Sequence, residues 1–302
     1  MCVYVCYYVG KVEYLRRCLN IVLSLLLVIG SGMTHAVWNL FAKQSEDKSA
    51  FLWAIFMPTT IMLIPYLALE LIRTGIPAEA FLFIVASLVA QSAYALLLSH
   101  TYKLGDLSQV YPVMRGTSTL LIPATGVLFL GESLPLWGWL GIGCMLLGFT
   151  VMSGRKRETE RAPAVWKPIL FALLVGLCIT CYTLIDKQNL QYLSPLSLLA
   201  VSNIGFVLGL TPAVMTPGRL KRAVRGQWKV VLLGSLLSPG SYLLFLLAMR
   251  HAQVSYIAPL REIGIVFGTL LGLIVLKEHQ GARRLAASVI VVAGIVMIAG
   301  SG

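Results

Sequence analysis

Apolar runs long enough to cross about 30 Å of hydrocarbon, roughly 20 residues each, follow one another near 19–42, 50–73, 79–102, 108–130, 135–153, 166–187, 194–216, 228–249, 254–276 and 283–301. In a bilayer core each backbone N–H and C=O must be satisfied within its own segment, so runs of this length form helices. The expected fold class is an all-α polytopic membrane protein with ten transmembrane helices. Composition agrees, since 58% of the residues are hydrophobic and 12% charged, where soluble domains carry about 25% charged residues.

A net charge of +12 in a soluble chain would suggest nucleic acid as a partner. Here all of the Lys and Arg except Arg115 and Arg261 lie in or beside short connections between apolar runs, where basic residues set topology. Nucleic acid is therefore excluded. Cys2, Cys6 and Cys18 precede the first span, and Cys144, Cys178 and Cys181 lie inside spans. The Cys178/Cys181 pair reads as small apolar helix residues, and no metal or cofactor is expected.

The two intramembrane arginines reveal a repeat. Glu132 stands seventeen positions after Arg115 and Glu278 seventeen after Arg261, an offset of 146 that also relates Gly148 to Gly294 and Gly154 to Gly300. At an offset of 144, His35-Ala36-Val37-Trp38-Asn39 matches Ile179-Thr180-Cys181-Tyr182-Thr183. That match makes the first run a retained span, although Lys11, Arg16 and Arg17 before it give it the look of a secretory signal. Residues 1–18 form an N-terminal tail without a counterpart. The basic, proline-containing linker 155–165 then separates two five-helix repeats, 19–154 and 166–302. An odd number of spans per repeat turns the second copy over, giving an inverted pair.

Lys and Arg number six on the tail and even-numbered connections and sixteen on the odd-numbered ones. The positive-inside rule places the richer side in the cytoplasm and both termini outside. Gly264, Gly268 and Gly272 recur every four residues and predict close helix packing. The prolines in or near spans, among them Pro112 and Pro259, are sites for kinks.

A charge inside a span costs about 2.5–3.5 kcal/mol on insertion scales, so it faces a partner or an aqueous cavity. Each arginine either ties its helix to a carboxylate or carbonyl, or faces substrate. An inverted repeat brings equivalent positions towards one axis, so Arg115 and Arg261 are expected to flank one cavity and bind an anionic group. Glu262 is matched by Gly116 in the first half; its candidate roles are neutralising an arginine, binding a substrate amine or carrying a coupled proton. His35, Trp38 and Asn39 share one helix face. Tyr182, Thr183 and Asp186 occupy the matching face of the sixth span, and Tyr94 and Tyr242 hold similar places in the third and eighth. These tyrosines, with His35, Trp38 and Asn39, complete the candidate substrate-binding set. Glu132 and Glu278 close their helices at the membrane edge and read as anchors or turn formers.

The two glutamate turns, Leu130-Gly131-Glu132-Ser133-Leu134-Pro135 and Leu276-Lys277-Glu278-His279, together with ten spans in two halves, resemble the drug/metabolite transporter superfamily of the EamA type. The likeness runs from residue 19 to the C-terminus. It implies a secondary permease with a central cavity and both termini in the cytoplasm, opposite to the charge count. The His35-Ala36-Val37-Trp38-Asn39 stretch resembles a branch associated with phosphonate utilisation. Organophosphate exchangers of the superfamily use basic residues on the fourth and ninth spans, as Arg115 and Arg261 do by position. Their paired neighbouring cations are absent here, since Glu262 follows Arg261.

The expected function is a secondary transporter in the cell (cytoplasmic) membrane that moves a small anionic or zwitterionic metabolite by alternating access. A phosphonate or organophosphate is among the candidate substrates. The alternatives are an exporter of amino acids or of cationic or neutral metabolites and drugs, a non-transporting membrane protein, and an intramembrane enzyme using His35, Asp186 and Glu262. The chain has no HExxH or GxSxG motif to support the last of these, so no enzymatic activity is expected. The expected partners are a small-molecule substrate and the lipid bilayer, with a coupling proton and a homodimer left open.

Overall fold

The computed structural model describes residues 2–104, 107–153, 166–216, 218–225, 227–275 and 281–301, and only the backbone of residues 2–18, 43, 107–108 and 281. The linker 155–165, Gly154 and Glu278 lie outside the described residues. The elements are α1 (Cys2–Gln44), α2 (Lys48–Thr74), α3 (Ala78–Leu104), α4 (Leu107–Phe129), α5 (Leu136–Ser153), α6 (Trp166–Asn189), α7 (Pro195–Val214), α8 (Arg219–Val224), α9 (Trp228–His251), α10 (Val254–Leu260), α11 (Ile263–Val275) and α12 (Gly281–Ala299). No strand occurs among the described residues. The tail is not a separate element, because α1 is continuous from Cys2 through the first span.

Among the described residues, nine segments are long and apolar enough to cross a membrane, with α10 and α11 together forming one of them. The tenth span is α4, whose 23 residues reach about 34 Å at 1.5 Å per residue. Large apolar side chains such as Ile72, Leu128, Phe129 and Ile274 face outward, as expected where lipid replaces water. α4 and α5 meet in a tight turn in which Gly131 adopts φ 65°, a left-handed conformation suited to glycine.

Packing repeats with the sequence. α1 lies on α9 as α6 lies on α3, and α4 lies on α6 as α10 and α11 lie on α1. α2 pairs with α7 and α5 with α12 across the axis itself. In the last pair Gly141 abuts Gly294 while Gly148 abuts Ala287 and Val291, so the helices run antiparallel. At the offset of 146 each of these contacts is the image of the other, which is the relation an inverted repeat requires. α2 and α7 are antiparallel too: Trp53 Nε1 donates to Thr211 Oγ1 at 3.1 Å near one end. At the other end the Ser194 N–H donates to Glu70 at 2.7 Å, and the Ser194 and Ser197 hydroxyls each donate to it at 2.6 Å.

The ninth span differs from the sequence expectation of one continuous helix. It breaks at Arg261 and Glu262, where the N–H groups of Glu262, Gly264 and Ile265 bond three residues back, to Pro259, Arg261 and Glu262. Pro259 has no N–H to donate and disfavours the regular helix around it. α4 stays helical through Arg115 and Gly116. The expected glycine packing holds for Gly264, pressed on the Gly32 backbone, but at Gly268 no described atom lies within 4 Å of where a Cβ would stand.

Candidate substrate site

The arginine-bearing segments are each gripped by a glycine from the opposite repeat. A Cβ on Gly176 of α6 would lie 2.5 Å from Thr117 Cβ and 2.8 Å from the Met114 carbonyl of α4. A Cβ on Gly32 of α1 would lie 2.7 Å from Ile263 Cγ2 and 3.2 Å from the Arg261 carbonyl. Only glycine permits such approach, and it fixes both arginine backbones against the helices that carry the polar stripe.

Arg115 and Glu262 form a two-point ion pair across the halves. Arg115 Nε donates to Glu262 Oε2 at 2.8 Å and its terminal nitrogen to Oε1 at 2.5 Å. Both side chains are buried, at 9% and 5% exposure, so each charge depends on the other for compensation. Arg261, adjacent to Glu262 in sequence, has no carboxylate within ion-pair distance among the described residues. Its Nε donates to Ser31 Oγ at 3.0 Å, and its guanidinium lies 4.5 Å from the Phe245 ring and 5.6 Å from the Tyr242 ring. Ser31 and Ser241 in turn exchange hydroxyl-to-carbonyl bonds of 2.7 and 2.9 Å that join α1 to α9.

A small cavity of about 30 Å³ is lined by His35, Trp38, Asn39, Tyr94, Tyr111 and Arg115 of the first half and by Val175 and Ile179 of the second. That volume admits a water molecule but no metabolite. Arg261, Tyr182 and Tyr242 stand outside this lining, and an aromatic series links them to it: Tyr94 to Tyr182 at 5.3 Å, Tyr182 to Tyr242 at 6.0 Å, Tyr242 to Phe245 at 6.2 Å. His35 meets Trp38 edge to face at 4.9 Å. The Trp38 indole N–H is buried without a hydrogen-bond partner among the described residues.

Two larger vestibules open on opposite faces. One, of about 520 Å³, is lined by Asp47, Lys48, Tyr102, Lys103, Arg219 and Arg222. Tyr102 also lines the small cavity, so it borders both spaces. The other, of about 530 Å³, is lined by Glu132, Lys187, Arg250, His251 and Tyr256 among others. In the first, Arg219 clasps Asp47, with one contact at 2.9 Å. Partial burial alone would raise the Asp47 carboxyl, but donation from Arg219 and the Ala50 N–H outweighs it and holds the group below its ordinary range.

Two residues acquire roles that the sequence did not assign. Glu132 accepts from the N–H groups of Val254 and Ser255 at 2.8 and 2.7 Å and from the Ser255 hydroxyl at 2.5 Å, capping α10 of the other half. Asp186 is fully buried and accepts from Ser87, Tyr242 and Ser202 at 2.6, 2.5 and 3.2 Å. Its signal in the sequence was an acid inside an apolar run, one turn beyond Tyr182 and Thr183.

The comparisons with known proteins agree with this architecture. Residues 22–154 and 166–300 each match the EamA-like transporter family. An uncharacterized transporter in the cobO 3' region of Sinorhizobium sp is 36% identical over 78 residues, 26% of this chain and 55% of that protein. The uncharacterized transporter YwfM of Bacillus subtilis (strain 168) is 29% identical over 155 residues, 47% of this chain and 49% of that protein. The chain thus spans about half the length of the curated relatives it matches. A solved crystal structure shares the fold at a TM-score of 0.71 and 15% identity, over 92% of this chain and 96% of its own. With two copies of the family matched across most of its length, this multi-pass membrane protein belongs to the EamA-like transporter family.

Proposed function

We propose that the protein is a secondary transporter for a small organic anion or zwitterion, bound through Arg261 and moved by alternating access. The observation that carries the reading is the contrast between the arginines. Glu262 neutralises Arg115, which leaves Arg261 as a buried guanidinium held by hydroxyls and ring faces. One uncompensated charge suits a single negative charge, such as a carboxylate or the net charge of an aminophosphonate, better than a doubly charged phosphate. The unpartnered Trp38 N–H adds a donor for an acceptor group, since a buried donor left unsatisfied is costly.

The aromatic residues invite a cationic substrate, because ring faces attract cations. Arg261 already occupies the faces of Tyr242 and Phe245, so a second cation would meet repulsion there. Vestibules on opposite faces and two related halves support alternating access, and the cavity of about 30 Å³ must widen before it holds a substrate. The reading involves no chemical conversion of the substrate. Counterflow in proteoliposomes preloaded with amino acids, aminophosphonates, phosphate esters or organic cations tests it. Exchange of the anions and zwitterions is expected, and exchange confined to cations sinks it.

A further inference from the structure

We propose that Asp186 is a proton-binding site linked through Tyr242 to the Arg261 anion site, so that a proton and an anion are taken up together. Asp186 sits in α6 with no Lys, Arg or His within ion-pair distance among the described residues. Its ligands are hydroxyls from three other helices: Ser87 of α3, Ser202 of α7 and Tyr242 of α9. The other polar neighbours that face it are the Gln91 amide from α3 and the phenol of Tyr182 on its own helix. Tyr94 of α3 meets Tyr182 edge to face beyond that. Lys187, next in sequence, is turned away and donates to the Met249 and Ala252 carbonyls at 2.5 and 2.9 Å. The charged group reached through Tyr242 is Arg261, whose guanidinium lies 5.6 Å from the centroid of that ring.

Hydroxyls serve either protonation state. They donate to the ionised carboxylate, and when a proton taken up from the bulk solution forms an O–H bond on Asp186, a hydroxyl rotates and accepts instead. The charge balance then gives the coupling, and this part rests on the anion reading above. With Asp186 ionised and His35 neutral, Arg115, Arg261, Glu262 and Asp186 sum to zero. Protonating Asp186 leaves one positive charge, and an anion at Arg261 restores zero. Buried net charge is costly in a membrane interior, so the states with both ligands or neither are favoured.

Infrared titration of the purified protein in lipid nanodiscs tests the site without any substrate. Acidification is expected to raise a protonated-carboxyl stretch that shifts with isotope-labelled aspartate and disappears in Asp186→Asn. By reciprocity of linked equilibria, Arg261→Gln is expected to titrate higher by on the order of one pH unit, since a nearby positive charge favours the ionised form. Tyr242→Phe, which removes a donor to the carboxylate, moves the midpoint in the same direction and serves where Arg261→Gln does not fold. A band that survives in Asp186→Asn, is insensitive to labelled aspartate, or keeps its midpoint in both other variants overturns the proposal. Because no substrate is involved, such a failure leaves the anion reading standing, and failed anion counterflow leaves the titration standing.

Discussion

Arg115 and Glu262, 147 positions apart, hold each other in a two-point ion pair at 2.8 and 2.5 Å, while the symmetry mate of Arg115, Arg261, is held by serine hydroxyls and aromatic rings. One of two equivalent charges is thereby cancelled, and an inverted repeat acquires a chemically one-sided centre.

Removing one partner of a buried pair strands the other charge, a loss of about 3–5 kcal/mol, whereas apolar replacement of both is close to neutral. Glu262→Gln and Arg115→Met are each expected to destabilise the protein strongly, and the double variant Arg115→Met/Glu262→Leu to recover most of the loss. Thermal unfolding in nanodiscs checks this as a double-mutant cycle.

The glycine contacts differ sharply from one position to another. A methyl at Gly176 or Gly32 would overlap neighbouring atoms at 2.5 and 2.7 Å, whereas Gly268 has no described neighbour within 4 Å. Overpacking costs about 1–3 kcal/mol, so Gly176→Ala and Gly32→Ala are expected to lose stability and Gly268→Ala to keep it. Equal effects at all three positions would show that the helices do not cross as described.

Much of this architecture is legible in the sequence because apolar length fixes helices and the offset of 146 fixes which contacts mirror each other, as at Gly141 and Gly148. The break at Arg261 is not legible from the repeat, since Pro112 and Pro259 occupy non-equivalent places. Nor is the Arg115–Glu262 pairing, because a charge does not announce which of several helices will face it. Asp186 was visible as an acid in a span, but its partners Ser87 and Ser202 are serines on two other helices and form no pattern along the chain.

Glu132 caps α10 through two N–H groups and a hydroxyl. Hydrogen bonds to a charged acceptor contribute about 1.5–3 kcal/mol, so Glu132→Ala is expected to speed amide exchange at Val254 and Ser255 about tenfold or more. Unchanged exchange there would remove the cap from the account.

The Asp47–Arg219 pair gives a pH dependence of definite sign. Asp47 titrates lower in the folded protein than in an unfolded chain, so its contribution is complete above the ordinary aspartate value of about 3.9 and is lost as pH falls through the depressed folded value. Asp47→Asn is expected to speed amide exchange in α8 at neutral pH, and the difference from wild type to vanish in strong acid. A difference that grows on acidification has the wrong sign for this pair.

The proposal most open to direct test is that Arg261, which has no ion-pair partner among the described residues, selects the substrate. Anion counterflow in proteoliposomes, compared between wild type and Arg261→Gln at matched protein incorporation, tests it most directly. Loss of one bidentate charge-assisted contact, about 1.5–3 kcal/mol, is expected to raise the half-saturating anion concentration by at least about tenfold. Anion exchange that proceeds unchanged in Arg261→Gln contradicts the account.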